Sequence, residues 1–531
     1  MSTKLERRIT TASPIAGLLG TDGYKQSHRP LYPQPGSEHG DGTGTTRILI
    51  NWTNRSNKLL PNSSHAVVFG LQYFIQSYLV ETWESFFAAA EDEVVDLFLA
   101  ELDAYFGPGH TLDAEHVRAL HRLGYLPLKV RALKEGTLAP IGVATVTIEN
   151  THDEFFWLPN YIETALSATI WHPSTTATVA LEYRDIIETW VERTGTVTPG
   201  TLFHAHDFSM RGQTSLTSAA ASGAGHLTSF LGTDSMPSLD FIRRYYPGEN
   251  GTLAGSVPAT EHSVMCIRGQ QGELEVFKHI LDTFPTGVVS AVSDGYDLFK
   301  VLTEVLPQLK AEILSRDGKL VIRPDSGDPV DIVTGEYVID EDLIEYEHAK
   351  SRGRVTPEMS GVVELLGELF GYTVNDKGYK VLDSHIGVIY GDSITQERAT
   401  AIFRRLAAKG WAAENVVLGV GSFTYQYKTR DNLGSAVKAT WAVVDGEPVD
   451  IQKDPKTGGG GKKSAKGRIV LHRDETGEIR QLEGTKPEDD ESSLLELVWE
   501  DGYFYRHQSF ADVRGTLEAE RAARKERRRA S

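Results

Sequence analysis

Hydrophobic and polar positions change rhythm along the 531-residue chain. An apolar stripe opening at Gly70-Leu71-Gln72-Tyr73-Phe74-Ile75 and continuing past Trp83 and Phe86 predicts helices over 70–107. Leu126–Val130 and the alternation from Val143 to Ile148 predict strands, with the turn between them at Gly136. Two separate helices are expected over about 158–170 and 176–192. From about 200 to 425, short β-like runs that end in polar groups alternate with helical stretches. Thr201–His204 runs into His206-Asp207-Phe208, Val288–Val292 into Ser293-Asp294-Gly295, and Leu320–Ile322 into Arg323-Pro324-Asp325. Ile386–Tyr390 leads to Gly391-Asp392-Ser393, and Val416–Leu418 to Gly419-Val420-Gly421. That rhythm predicts a parallel barrel or barrel-like sheet with functional groups at strand C-terminal ends. Residues 1–20 read as a flexible lead-in and 334–359 as a polar insertion. The stretch 453–468, with four consecutive glycines before Lys462-Lys463, reads as a mobile basic loop, and 518–531 as a charged helix or fraying tail.

Charge narrows the function classes. Lys plus Arg number 54 against 73 for Asp plus Glu, a net charge of −19. That balance opposes non-specific binding to nucleic acid or an anionic membrane, so any anionic substrate needs locally concentrated cations. The single cysteine, Cys266, excludes a disulfide within the chain and fits a reducing compartment. Met1–Thr10 lacks the apolar core of a signal peptide, and no run reaches the roughly 18 apolar residues of a membrane span. A cytoplasmic protein with no nucleic-acid or membrane partner is expected.

Several constellations carry candidate chemistry. In Arg323-Pro324-Asp325-Ser326-Gly327-Asp328, an apolar strand delivers an arginine into a tight turn. The guanidinium can grip phosphate and Asp325 can accept from ribose hydroxyls, although an ordinary strand-end turn has the same residues. Gly391-Asp392 repeats the design, and Gly419-Val420-Gly421-Ser422 can cradle a phosphate with backbone amides. Lys428, Arg430, Lys438, Lys453, Lys462 and Lys463 concentrate positive charge in an acidic chain, as a polyphosphate site requires. Glu261-His262-Ser263 places a histidine beside a carboxylate, fit for a general base or a phosphoryl acceptor, or for a purely structural role. Phe208 with Arg211 offers a ring face and a guanidinium to a planar heterocycle. Asp234, in Gly232-Thr233-Asp234, is an acceptor suited to a ligand N–H. No zinc-type cluster, Walker A motif or dinucleotide-binding glycine fingerprint is present.

In this order the motifs resemble the nicotinamide phosphoribosyltransferases, a type II phosphoribosyltransferase family. The likeness runs from Thr21-Asp22-Gly23-Tyr24-Lys25 to about Ser509. It includes Gly70-Leu71-Gln72-Tyr73, His206-Asp207-Phe208, Arg211-Gly212, Gly232-Thr233-Asp234, Glu261-His262-Ser263, Arg323-Pro324-Asp325-Ser326-Gly327, Gly391-Asp392, Thr429-Arg430-Asp431 and Lys453-Asp454-Pro455. The resemblance implies transfer of phosphoribosyl from 5-phosphoribosyl-1-pyrophosphate to nicotinamide, giving nicotinamide mononucleotide and pyrophosphate. It also implies magnesium with the pyrophosphate, ATP as co-substrate, and a homodimer with shared sites. On that likeness His262 is the residue phosphorylated by ATP, oriented by Asp294 with Glu261 beside it. Phe208 and Tyr24 of the partner subunit sandwich the pyridine ring, with Arg211, Asp234 and Asp22 near its carboxamide. Arg323, Asp325, Gly391, Asp392, Gly421 and Ser422 hold ribose and phosphate; Arg55, Arg430, Lys438, Lys453 and Lys462 face pyrophosphate or ATP. Direct metal ligands are not specified. One departure stands out: where some members have a run of glycines, Gly421-Ser422-Phe423 places a phenylalanine that can narrow the phosphate bend.

The expected class is α/β: an irregular β/α barrel-like domain over 176–430, plus an α+β domain formed from 1–175 and 431–531. The rival readings are a nicotinate phosphoribosyltransferase and a non-catalytic binding protein on the same fold. Asp234 weighs against the first, because a carboxylate repels nicotinate and accepts the amide N–H of nicotinamide.

Overall fold

The computed structural model describes residues 13–36, 38–248, 251–336, 342–391, 393–453 and 464–530. The chain packs as two compact units, one of 1–175, 242–249 and 429–531, the other of 176–241 and 250–428.

The first unit is built on an antiparallel sheet of seven strands. In spatial order these are Glu447–Asp450, Ser435–Val444, Thr45–Asn54, Ala144–Asn150, Leu128–Ala132, Glu496–Glu500 and Tyr503–Phe504. Helices of the 70–107 region cover one apolar layer, and Trp52, Phe74, Trp83, Phe86 and Phe98 are buried together. Large side chains in such a layer dominate the burial energy, about 1.5–3 kcal/mol each relative to exposure. The lead-in is not free chain throughout: Ile15 and Leu18 join this core, and a Cβ on Gly17 would stand 2.6 Å from the Trp83 ring. The described part of that stretch, residues 13–20, is mostly apolar, and Ile15 and Leu18 dock it. The end of the chain is a helix, Phe510–Ala530, anchored by buried Phe510, Val513 and Leu517.

The two helices expected around 158–192 are a short turn, Leu158–Tyr161, and one 32-residue helix, Glu163–Thr194, that runs through Pro173. Proline removes an intrahelical donor and ordinarily breaks a helix. Here the Thr175 hydroxyl donates to Trp171 O (2.7 Å) and the Ser174 hydroxyl to Val67 O (2.6 Å), while the ring lies 3.0 Å from the position of a Cβ on Gly70. Packing overrides the local breaker.

The second unit is a curled parallel sheet in the order Gly232–Thr233, Ala205–Asp207, Val416–Val420, Ile386–Tyr390, Asp317–Arg323, Thr286–Val292. Val289, Ala291, Leu320, Ile322, Val388, Leu418 and Val420 are buried, which explains why these strands read as continuous apolar runs. The run Thr201–His204 is mostly a 3-10 turn, Pro199–Phe203, and the strand starts only at Ala205. Both sheet edges bond to one segment, Gly255–Thr260. Gly255 N donates to Leu231 O (2.8 Å) and Thr233 N to Gly255 O (3.2 Å); Thr260 N donates to Ser290 O (3.0 Å) and Ser290 N to Pro258 O (2.9 Å). The segment bridges the first strand of the order to the last and completes the curl.

Candidate active site

Each strand of the second unit turns from apolar to polar at its C-terminal end, so the parallel order brings those ends to one rim. The strand Thr286–Val292 delivers Asp294, Asp317–Arg323 delivers Arg323 and Asp325, Ile386–Tyr390 delivers Gly391, and Ala205–Asp207 delivers Phe208. Gly232–Thr233 leads into Asp234, and Val416–Val420 into Gly421 and Ser422. His262 opens a short helix, His262–Cys266, directly after the closing segment.

Asp294 is nearly inaccessible, and only its Oδ2 is hydrogen-bonded among the described residues. Oδ1 lies 3.4 Å from His262 Nε2, while Oδ2 accepts the Asp325 N–H (3.0 Å) and the Ser326 hydroxyl (2.6 Å). His262 itself is half exposed. Glu261 accepts from Ser263, and its other oxygen stands 3.7 Å from Arg211, whose side chain is largely in solvent. Arg323 Nη2 is 3.5 Å from Asp325 Oδ1, its guanidinium carbon lies 4.8 Å from the Phe208 ring centre, and its Nε is buried with no hydrogen-bond partner among the described residues. Gly391 has no room for a side chain: a Cβ would meet Asp325 Oδ1 at 2.4 Å and Arg323 Nε at 2.7 Å. A Cβ on Gly419 would stand 2.5 Å from Tyr390 O and 2.7 Å from the Phe208 ring. These two glycines let the arginine and the ring reach the rim.

Asp234 Oδ1 lies 2.9 Å from His206 Nε2 and accepts the Ser256 hydroxyl at 2.6 Å. Burial pushes this carboxyl up, but those two hydrogen bonds, with the charges of His206 and Arg323, outweigh it and hold the group below its ordinary value. Asp234 is therefore a carboxylate at neutral pH.

Phe423 does not fill the phosphate bend. Its ring turns outward and stacks on Tyr427 (5.2 Å, 8°), and a Cβ on Gly421 would meet nothing within 4 Å. The tight approach is elsewhere, where a Cβ on Gly212 would be 2.1 Å from Ser422 Oγ. The short helix Ser422–Tyr425 is tied down by Tyr425, whose hydroxyl meets His226 Nδ1 at 2.6 Å while His226 Nε2 meets Gly232 O at 3.0 Å. Asp392 and Lys462 lie outside the described residues.

The remaining candidates belong to the first unit. Asp22 accepts from Thr164 (2.7 Å), and Tyr24 is exposed with its ring edge-on to His28. Lys438 shares its surroundings with Arg55, Lys453 and Arg430. Burial lowers its pKa first, Glu163 opposes, and the three neighbouring cations lower it further. Mutual repulsion of this kind marks a place that an anion would relieve. Among the described residues, no group of three or more His, Cys, Asp or Glu side chains is placed to hold a metal ion. No helix among them is long and apolar enough to cross a membrane.

A family model described as the Nicotinate phosphoribosyltransferase (NAPRTase) family matches residues 203–496, more than half of the chain. The chain belongs to this family. The match contains every strand of the curled sheet and most of its rim residues. Among curated proteins, the chain is 42% identical to a nicotinamide phosphoribosyltransferase of Acinetobacter baylyi, covering 95% of this chain and 97% of that one. It is 35% identical to a nicotinamide phosphoribosyltransferase of Xanthomonas campestris pv. campestris, covering 95% and 98%. Among solved structures, the nicotinate-nucleotide pyrophosphorylase from Pyrococcus furiosus superposes with a TM-score of 0.51 at 15% identity, over 98% of this chain and 99% of that one. At that identity the likeness concerns the NAPRTase-type fold alone.

His206, Ser256, Ser326 and Tyr425 were not singled out by role from the sequence. Each acts through a partner distant in sequence, and only the proximity of a polar residue to a strand end could have flagged them.

Proposed function

We propose that this enzyme transfers phosphoribosyl from 5-phosphoribosyl-1-pyrophosphate to nicotinamide in NAD salvage, releasing pyrophosphate and nicotinamide mononucleotide. The observation that carries the choice of acceptor is the ionised Asp234 on the same rim as Phe208. Ionised, it only accepts hydrogen bonds, so it favours a carboxamide N–H and repels a carboxylate. The names of the two bacterial relatives support the same acceptor.

The pyridine nitrogen attacks C1 of the ribose with its own lone pair, the C1–O bond to pyrophosphate breaks, and that electron pair leaves with pyrophosphate. No base is required. The residues contribute position and charge: Phe208 stacks the ring, Arg323 and Asp325 hold the phosphoribosyl group, and Gly391 admits it. Arg55, Arg430, Lys438 and Lys453, clustered in the first unit, offer positive charge to pyrophosphate or ATP. Magnesium carried by the pyrophosphate would supply further charge neutralisation. His262, held by Asp294, is the group that ATP phosphorylates in a coupled step. The reading includes a cytoplasmic homodimer in which Tyr24 of the partner subunit closes the ring site.

Steady-state kinetics with nicotinamide and nicotinate, each with 5-phosphoribosyl-1-pyrophosphate and magnesium, test the acceptor. A preference for nicotinate overturns it and favours the second reading, in which exposed Arg211 pairs with the acceptor's carboxylate. Failure to form either mononucleotide favours a non-catalytic binding protein. His262→Ala is expected to abolish ATP stimulation while retaining basal transfer.

A further inference from the structure

We infer that His206, together with Ser256, is a positioning residue that decides which oxygen of Asp234 meets the acceptor, and thereby the choice of amide over acid. The inference rests on the nicotinamide reading above and adds residues to it.

Three polar atoms converge at one point. His206 Nε2 and Ser256 Oγ approach Asp234 Oδ1 at 2.9 and 2.6 Å and lie 3.5 Å from each other. Neither of these contacts is made to Oδ2. Asp234 follows directly on the two-residue strand Gly232–Thr233, and two donors on one oxygen fix its side-chain torsion. The second oxygen is then presented in a set direction, as recognition of a planar carboxamide requires. The clamp is built rather than incidental. The His206 ring is buried, it lies 4.7 Å from the Phe208 ring, and Gly232 leaves the space it occupies, since a Cβ there would stand 2.8 Å from His206 Nδ1. Ser256 arrives from the closing segment, so three separate stretches of chain meet at this carboxylate.

The same donors maintain its charge. Without them burial dominates, the carboxyl is neutralised more readily, and a protonated Asp234 can donate to nicotinate. Loss of the clamp should therefore erode selectivity rather than simply slow the reaction.

The test is the ratio of kcat/KM for nicotinamide to that for nicotinate, measured on the full chain and on His206→Leu, His206→Gln and Ser256→Ala. The ratio should fall at least tenfold in His206→Leu, chiefly through a higher nicotinamide KM, with kcat changed less. Gln places an N–H near the position of ring Nε2 and should recover much of the loss; Ser256→Ala should be intermediate. An unchanged ratio in both His206→Leu and Ser256→Ala overturns the inference. So does an equal loss on both acceptors, carried by kcat alone. If His206→Leu does not fold, Ser256→Ala and His206→Gln decide by the same ratio. A wild-type preference for nicotinate is a different failure, visible before any substitution, and sinks the acceptor reading itself.

Discussion

Asp294 Oδ1 stands 3.4 Å from His262 Nε2, while the other oxygen of the same carboxylate holds the Asp325 amide and the Ser326 hydroxyl. One side chain thus lies against the histidine and holds the Asp325-Ser326 turn at the same time. Asp294→Ala is expected to raise the KM for 5-phosphoribosyl-1-pyrophosphate at least tenfold and to remove ATP stimulation in the same variant. It should also cost about 1–3 kcal/mol of stability, because a part-buried amide loses its acceptor. Kinetics with and without ATP, beside urea unfolding, check all three. Loss of ATP stimulation with an unaltered donor KM would show that the two tasks are separable.

Gly391→Ala probes the donor site. The added methyl meets two side chains, those of Asp325 and Arg323. Both must shift to make room, so stability should fall by about 1–3 kcal/mol. The donor KM should rise tenfold or more, because the pair would move out of the ribose position. Calorimetric titration with 5-phosphoribosyl-1-pyrophosphate measures the effect directly; unchanged affinity would place the ribose elsewhere.

Lys438 is part-buried among Arg55, Lys453 and Arg430, and its pKa is lowered. Lys438→Met removes a charge that the folded state disfavours, so the melting temperature should rise. Pyrophosphate and donor affinity should fall at least tenfold. A variant that is less stable and binds pyrophosphate normally would assign this lysine to structure alone.

At the stem of the 334–359 insertion, the Lys409 ammonium donates to Thr334 O (2.5 Å) and Ser360 O (3.0 Å) and lies 4.4 Å from the Tyr346 ring centre. Burial pushes its pKa down to about 8; Lys350, Arg405 and Lys380 add to the shift and Glu364 opposes it. In the unfolded chain the value is about 10.4. Between those two values the unfolded state holds a proton that the native state lacks, so this group's contribution to stability rises with pH. The unfolding free energy of the wild type, relative to Lys409→Gln, should therefore increase from pH 8 to pH 10 by up to about 3 kcal/mol. Urea unfolding of both proteins at the two pH values gives the difference, and a constant gap would contradict it.

Most of the curled sheet was legible because each buried parallel strand is an apolar run that stops at a polar group, as Val288–Val292 does before Asp294. What escaped was whatever carries no periodicity. The strand Gly232–Thr233 is two residues long, and the closing segment is held by backbone bonds with no apolar run at all. The expected break between the helices at 158–170 and 176–192 falls at Pro173, which the helix runs through while packing on Val67 and Gly70, a hundred residues away. Within the site, the candidate residues at strand ends stood out by residue type. The partners that aim them did not: Asp234 and His206 are 28 positions apart, and Asp294 and Ser326 are 32 apart. Phe423 looked obstructive because sequence gives volume without direction, and its ring leans on Tyr427 instead.

The segment Gly255–Thr260 carries Ser256 within it and hands directly to Glu261 and His262. Among the described residues four backbone hydrogen bonds fasten it, each worth about 0.5–1.5 kcal/mol net, so it is held more lightly than a long paired strand. Breathing of that segment would loosen the acceptor's clamp and swing the histidine away in one event. Substrate that steadies it from the ring side would steady His262 as well, with no message needing to cross the barrel.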